Sequence, residues 1–207
     1  MKKKVIFTLV TLLLISFLLT GCNLIMGEDD PCGKINRCAE LEYTQTNLEV
    51  QTTQNGITLV NKFSAVKGAN NTMVTYSTEE MATIEKDQNG DYVVPDDMIV
   101  KKSGSATVKD GKIIEQNGDA VSIPVASLEK ISIEFSKDYF TDIKTYSEGN
   151  SEVFVAKVSS PILFTGNAKF DGKNMTVQAR YNEKLEVVMI DYTSEDGASV
   201  KVIYTFR

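Results

Sequence analysis

The sequence contains no histidine, and that single absence removes the Ser-His-Asp and Cys-His nucleophilic sets, the zinc-protease helix and most imidazole acid-base chemistry. Glycine-rich phosphate loops are missing as well, and no basic patch is interleaved with aromatic residues. Ser64 to Lys67 and Ser127 to Lys130 match the S-x-x-K pattern of penicillin-binding enzymes, but neither S-D-N nor K-T-G accompanies them. Asp87, Asn89 and Asp91 alternate as in a calcium loop, yet Gly90 falls in the wrong place and no glutamate closes a loop of the required length. The acidic pairs Glu79-Glu80 and Asp96-Asp97 read as surface charge. The expectation is a protein that is not an enzyme, with no metal and no cofactor.

Cysteine is scarce: there are three, Cys22, Cys32 and Cys38. Cys22 stands at the end of an amino-terminal segment in which Lys2, Lys3 and Lys4 precede an apolar run from Val5 to Leu19. A basic start, an apolar stretch and small residues before a cut site mark a secretory signal. The run is shorter than the about 20 apolar residues a transmembrane helix needs, and it stops at Gly21-Cys22. The ending Leu19-Thr20-Gly21-Cys22 resembles the lipobox of bacterial lipoproteins. That resemblance implies a diacylglycerol thioether on Cys22, removal of residues 1–21, and tethering on the extracytoplasmic side of a membrane. One acyl chain anchors only marginally, whereas two hold a protein stably.

Loss of residues 1–21 takes three lysines and no acids, shifting the net charge from −6 to −9. An acidic surface of that size argues against nucleic acid and against electrostatic attachment to anionic lipid. The lipid on Cys22 is then the membrane contact. Residues 22–39 hold Gly27, Glu28, Asp29, Asp30, Pro31 and Gly33, a turn-forming and solvated composition that reads as a lipidated tether. Residues 40–207 are expected to form a single β-rich domain large enough to bury its own core.

Within the tether, Cys32 and Cys38 close a seven-residue ring. In an oxidising compartment they are a candidate disulfide contributing about 2.4 kcal/mol by chain entropy. Such a bridge requires a turn between them, because residues six apart point to different faces of a helix. The alternative is two free thiols; zinc is disfavoured because two thiols without histidine leave it short of ligands.

Alternation of apolar and polar residues predicts strands throughout. Leu48 and Val50 face Ile57, Leu59 and Phe63 across Asn55-Gly56, the dipeptide of a tight hairpin. Further strands are expected at Thr72 to Ser77, Tyr92 to Val94, Ala106 to Lys109 paired across Asp110-Gly111 with Ile113 to Gln116, and Ile131 to Phe135. Ser77 to Glu80 has capping-box spacing among strand-like neighbours and stays undecided. The last third reads as a meander: Glu152 to Val158, Asn174 to Tyr181, Lys184 to Thr193 and Ser199 to Phe206. Ser136 to Lys144 is the best candidate for a short helix.

Two of these strands are apolar on both faces. Leu185, Val187 and Met189 oppose Val188, Ile190 and Tyr192, and Val153 and Val155 oppose Phe154, Ala156 and Val158. A strand apolar on both sides must be covered twice, by protein or by something the protein binds. Val153, Val155, Leu185, Val187 and Met189 are therefore the candidate ligand-lining residues.

The expected fold class is mainly β (α+β), a curved antiparallel sheet or half-barrel with a C-terminal meander and few short helices. A lipobox, a short tether and a chain of antiparallel strands ending in a meander such as Lys184 to Phe206 resembles the half-barrel lipoproteins and lipid carriers of the LolA/LolB and LprG/LppX kind. The resemblance implies a curved sheet wrapping helices and holding acyl chains in its hollow. The expected partners are the membrane, through Cys22, and either an apolar ligand or another protein of the cell envelope. The two functional readings are thus a lipid-anchored binding protein for an apolar ligand and a structural or interaction module without one.

Overall fold

A computed structural model describes residues 30–54, 57–82, 100–129, 133–165, 174–194 and 197–207. Cys22, the signal segment, Asn55-Gly56, Tyr92 to Val94 and Asp87 to Asp97 lie outside the described residues. The first element is a helix, α1 (Pro31–Ala39), capped by Asp30, whose carboxylate accepts from the Cys32 N–H at 3.3 Å. Proline at the first helical position costs no hydrogen bond and presets φ.

The second half of the expected tether is thus a packed helix whose Cys32, Ile35 and Cys38 are buried. This corrects the expected disulfide as well: Cys32 and Cys38 are free thiols on one helix. Six residues of helix rise about 9 Å, beyond the about 7 Å of Cα separation that a bridge tolerates.

The sheet strands follow in two runs. β1 (Gln45–Gln54), β2 (Ile57–Lys67), β3 (Thr72–Ala82), β4 (Val100–Lys109) and β5 (Lys112–Gly118) come first, then α2 (Val125–Glu129) and a 3-10 turn (Lys137–Tyr139). β6 (Phe140–Glu148), β7 (Ser151–Val158), α3 (Pro161–Thr165), β8 (Met175–Tyr181), β9 (Leu185–Thr193) and β10 (Ser199–Phe206) complete the chain. One ten-stranded sheet holds them in the order β5-β4-β3-β2-β1-β10-β9-β8-β7-β6, antiparallel at every step and not closed into a barrel. Two meanders are therefore joined along β1 and β10, the first and last strands.

The mainly β fold is as the alternation predicts, and Ser77 to Glu80 belong to β3. At Asp110-Gly111 both residues have positive φ, 50° and 72°, the backbone of the two-residue turn that matches strand twist. Two expectations are corrected. Ser136 to Lys144 is a single 3-10 turn running into β6, because Phe140 pairs with Val158 and turns into the core. Ile133 to Phe135 is irregular. Its backbone bonding comes instead from Asn36 on α1, which donates to the Phe135 carbonyl at 2.8 Å and accepts the Phe135 N–H at 2.9 Å. Asn36→Ala should lower stability by about 1–3 kcal/mol, since both buried backbone groups lose their partner; a urea titration measures it.

One face of the sheet is covered by the helices. Its register row runs Phe154, Ala179, Val188, Tyr204, Leu48, Phe63, Tyr76 across seven strands. The β6–β10 half packs under α1 around Phe135, Phe140, Phe154 and Phe164, whose ring centroids lie 5.2–5.8 Å apart. The β1–β4 half packs against Ile123 and Leu128, and Val202 and Tyr204 touch both clusters.

At the β5 edge one side chain ties three segments together. Tyr76 on β3 crosses Gly104 of β4, donating to the Asp119 carbonyl and lying 3.3 Å from the Asn117 carbonyl oxygen. Both outer strand pairings carry a register shift, at Thr107/Val108 and at Thr141/Lys144. In the second, Asp142 sits at φ 53° and its carboxylate meets Lys157 Nζ at 2.7 Å. Bulges of this kind guard free sheet edges against pairing with other chains.

Candidate functional site

The sheet register separates the five predicted lining residues. Val153 and Val187 flank Arg180 in one row, and Val155, Gln178, Met189 and Ile203 form the next, all on the face away from the helices. Val153 is buried, while Val155, Val187, Met189 and Ile203 are half-buried. Leu185 departs from this set. The register shift between Arg180 and Tyr181 sits opposite it, so Leu185 enters the helix-covered core at 1% exposure. Four of the five share the outer face, with Arg180 and Gln178 standing between them and Val153 covered; the fifth is core. The inner face, where an apolar ligand was to lie, is occupied by the chain's own phenylalanines.

Where the helix-covered side opens, at the C-terminal end of α1, there is a cleft of about 260 Å³. Its floor is Tyr43 and Phe206, with ring centroids 5.0 Å apart, and Leu128 of α2 closes one side. Tyr43 is held fast: its hydroxyl donates to the Cys38 carbonyl at 2.7 Å and accepts the Leu185 N–H at 2.8 Å. Glu40, Glu42 and Glu129 line the cleft together with Lys67. The sequence shows no short-range sign of it, because β1–β10 pairing sets Thr46 beside Phe206 from opposite ends of the chain.

A polar latch fixes α1 over the sheet. Lys34 Nζ lies 3.2 Å from Glu152 Oε1, and the Tyr181 hydroxyl donates to Glu152 Oε2 at 2.9 Å. The Tyr181 bond, with Lys34 second, holds Glu152 below the usual carboxylate range. Burial raises Tyr181, and the Glu152 bond adds to the rise. A second knot gathers Ser151, Arg180 and Asn182 around Glu186, at 2.7–2.8 Å. Both groups bond fully within the protein and serve as supports.

The thiols beneath the latch are inert. Burial pushes Cys32 up to about 11, Asp30 adding to the rise and Lys137 opposing it, and burial likewise raises Cys38. Such thiols stay protonated and are poor nucleophiles. The unfolded thiol titrates near 9. Below that value the fold bears no penalty; as pH rises from about 9 towards 11 the unfolded chain loses the proton first and stability falls. The urea midpoint should therefore drop between pH 9 and 11, and less steeply in Cys32→Ala; an identical slope would remove Cys32 from the explanation.

No family model matches the chain, and no curated protein is similar to it. Among solved structures it is similar to the crystal structure of an N-terminal dehydratase from the difficidin assembly line, at 9% identity over 96% of this chain and 84% of that one. The TM-score is 0.16, too low for a shared fold, so the comparison carries no argument about this chain.

Proposed function

We propose that this chain is an extracytoplasmic lipoprotein, anchored in a membrane through lipid on Cys22, that acts without catalysis as a protein-interaction module of the cell envelope. The observation that carries the reading is the occupied inner face. Phe135, Phe140, Phe154 and Phe164 fill the ground under α1 where acyl chains would have to lie. What the fold offers to a partner is then the outer face of the sheet and the acidic cleft at the end of α1. The segment Lys2 to Cys22 supports export and lipidation by its charge, its apolar length and its Leu-Thr-Gly-Cys ending.

A second reading, a carrier of lipid or another apolar ligand, is favoured by the open antiparallel sheet with helices on one face. That layout is similar to the half-barrel lipoproteins of the LolA/LolB and LprG/LppX kind. Organic extraction of the purified full chain separates the two. The interaction module yields no non-covalent lipid by mass spectrometry, whereas a stoichiometric lipid establishes the carrier.

The anchor has its own test. Radiolabelled palmitate should enter the wild-type chain and not Cys22→Ser, which should move from the detergent phase to the aqueous phase. Retention of Cys22→Ser in the detergent phase would end the lipoprotein reading.

A further inference from the structure

The cleft at the end of α1 contains a group that the protein leaves unused. Thr46 on β1 is 7% exposed and lines the cleft, yet its hydroxyl finds no hydrogen-bond partner among the described residues. Every fully enclosed side-chain N or O atom among those residues has a partner, so this hydroxyl opens into the cleft. Open to the cleft, the hydroxyl is hydrated in the free protein and available to a ligand atom that replaces that water.

The surroundings specify what that atom belongs to. Three carboxylates, Glu40, Glu42 and Glu129, line the cleft with a single cation, Lys67. The cleft also lies where α1 ends, the negative pole of a helix. Aromatic rings form the floor, and a ring face attracts a cation. A primary ammonium supplies N–H donors to a hydroxyl and to carboxylates, and accepts nothing; a quaternary ammonium has no N–H for Thr46. The volume, about 260 Å³, falls below the about 300–1,000 Å³ of small-molecule sites and suits one side chain with an alkyl stem. An ethanolamine headgroup carries phosphate beside its amine, which the three carboxylates repel.

We propose that this cleft is a receptor for one lysine side chain of a partner polypeptide, its ammonium on Thr46 and the glutamates and its stem against Tyr43 and Phe206. This rests on the reading of the chain as an interaction module. Lys67, exposed at the mouth, lowers the affinity of the site and competes with the incoming ammonium.

The experiment is an NMR titration of the full chain in detergent micelles with Nα-acetyl-lysine methylamide, beside the norleucine analogue and phosphoethanolamine. The lysine probe should bind saturably, shifting Thr46, Tyr43 and Phe206, at least tenfold more tightly than either control. Thr46→Val should weaken it at least threefold with an unchanged melting temperature. Glu129→Gln should weaken it too and serves if Thr46→Val does not fold; Lys67→Gln should strengthen it. Equal binding of norleucine, equal binding of phosphoethanolamine, or indifference to both Thr46→Val and Glu129→Gln would overturn the proposal. Lipid recovered by organic extraction would instead overturn the interaction-module reading, and leaves the lysine measurement on this cleft to stand or fall separately.

Discussion

Phe154→Ala should destabilise the domain by about 3–5 kcal/mol, the range for emptying a buried phenylalanine site. Phe154 is 0% exposed and stands between Phe135 and Phe140, at 5.8 and 5.4 Å. Its strand is paired on both sides, by β6 and β8, so the backbone cannot collapse into the void and the cavity term is kept. Against a total stability of about 5–15 kcal/mol for a domain, that loss brings the fold close to unfolding at physiological temperature. A urea titration reads it directly. The matched control is Ile114→Ala at the β5 edge, where the side chain is 61% exposed and the change should stay within about 0.5 kcal/mol. A small effect at Phe154 would mean that the space beneath α1 can be emptied and refilled, which would revive the reading of this chain as an apolar-ligand carrier.

Gly104→Val should produce the second large effect, on the order of 3 kcal/mol, by forcing backbone apart and by breaking hydrogen bonds. A Cβ at Gly104 would come within 2.3 Å of both the Asn117 carbonyl oxygen and the Tyr76 hydroxyl. One of those atoms is main chain, so no rotamer change relieves the overlap. The loss should be concentrated in β5, whose seven residues are all exposed and whose end Tyr76 bonds through the Asp119 carbonyl. Hydrogen exchange should show β5 amides opening in Gly104→Val while β7 and β8 amides keep their protection. Uniform acceleration would show that this edge and the aromatic cluster unfold as one unit. Tyr76→Phe, which loses the bonds without the overlap, should show the same localisation at a smaller magnitude.

Much of this architecture is legible in local patterning, and what is not has physical reasons. Alternation places β1, β2, β8 and β10, because one face lies under helices and the period of two survives, while β7 and β9 are marked by apolar runs between turns. Asp110-Gly111 marks its hairpin because Asp-Gly tolerates the positive φ at both positions that a type I′ turn requires. The helix α1 is misread because Pro31 and Gly33 suggest a turn, although Asp30 before Pro31 is equally the pattern of a capped helix start. At Ser77 to Glu80 the pairing of β3 with both β2 and β4 overrides a capping-box spacing. Among the lining candidates, Val153, Val155, Val187 and Met189 share a face as alternation requires, while the register shift at Arg180/Tyr181 sends Leu185 inward. The acidic cleft is invisible to any window of sequence, since Ala39, Lys67, Glu129 and Phe206 meet there only through the tertiary fold.

The pairing of β1 with β10 governs when this protein can become itself. Thr46 meets Phe206 and Thr53 meets Ser199, so the seam of the sheet is zipped by the strands farthest apart along the chain. Neither meander can find its neighbour until β10 has been made, and the loop to be closed runs from Thr46 to Phe206, a topology that slows folding. Trimming the carboxyl terminus by a single strand would cut the molecule along its midline instead of shaving an edge.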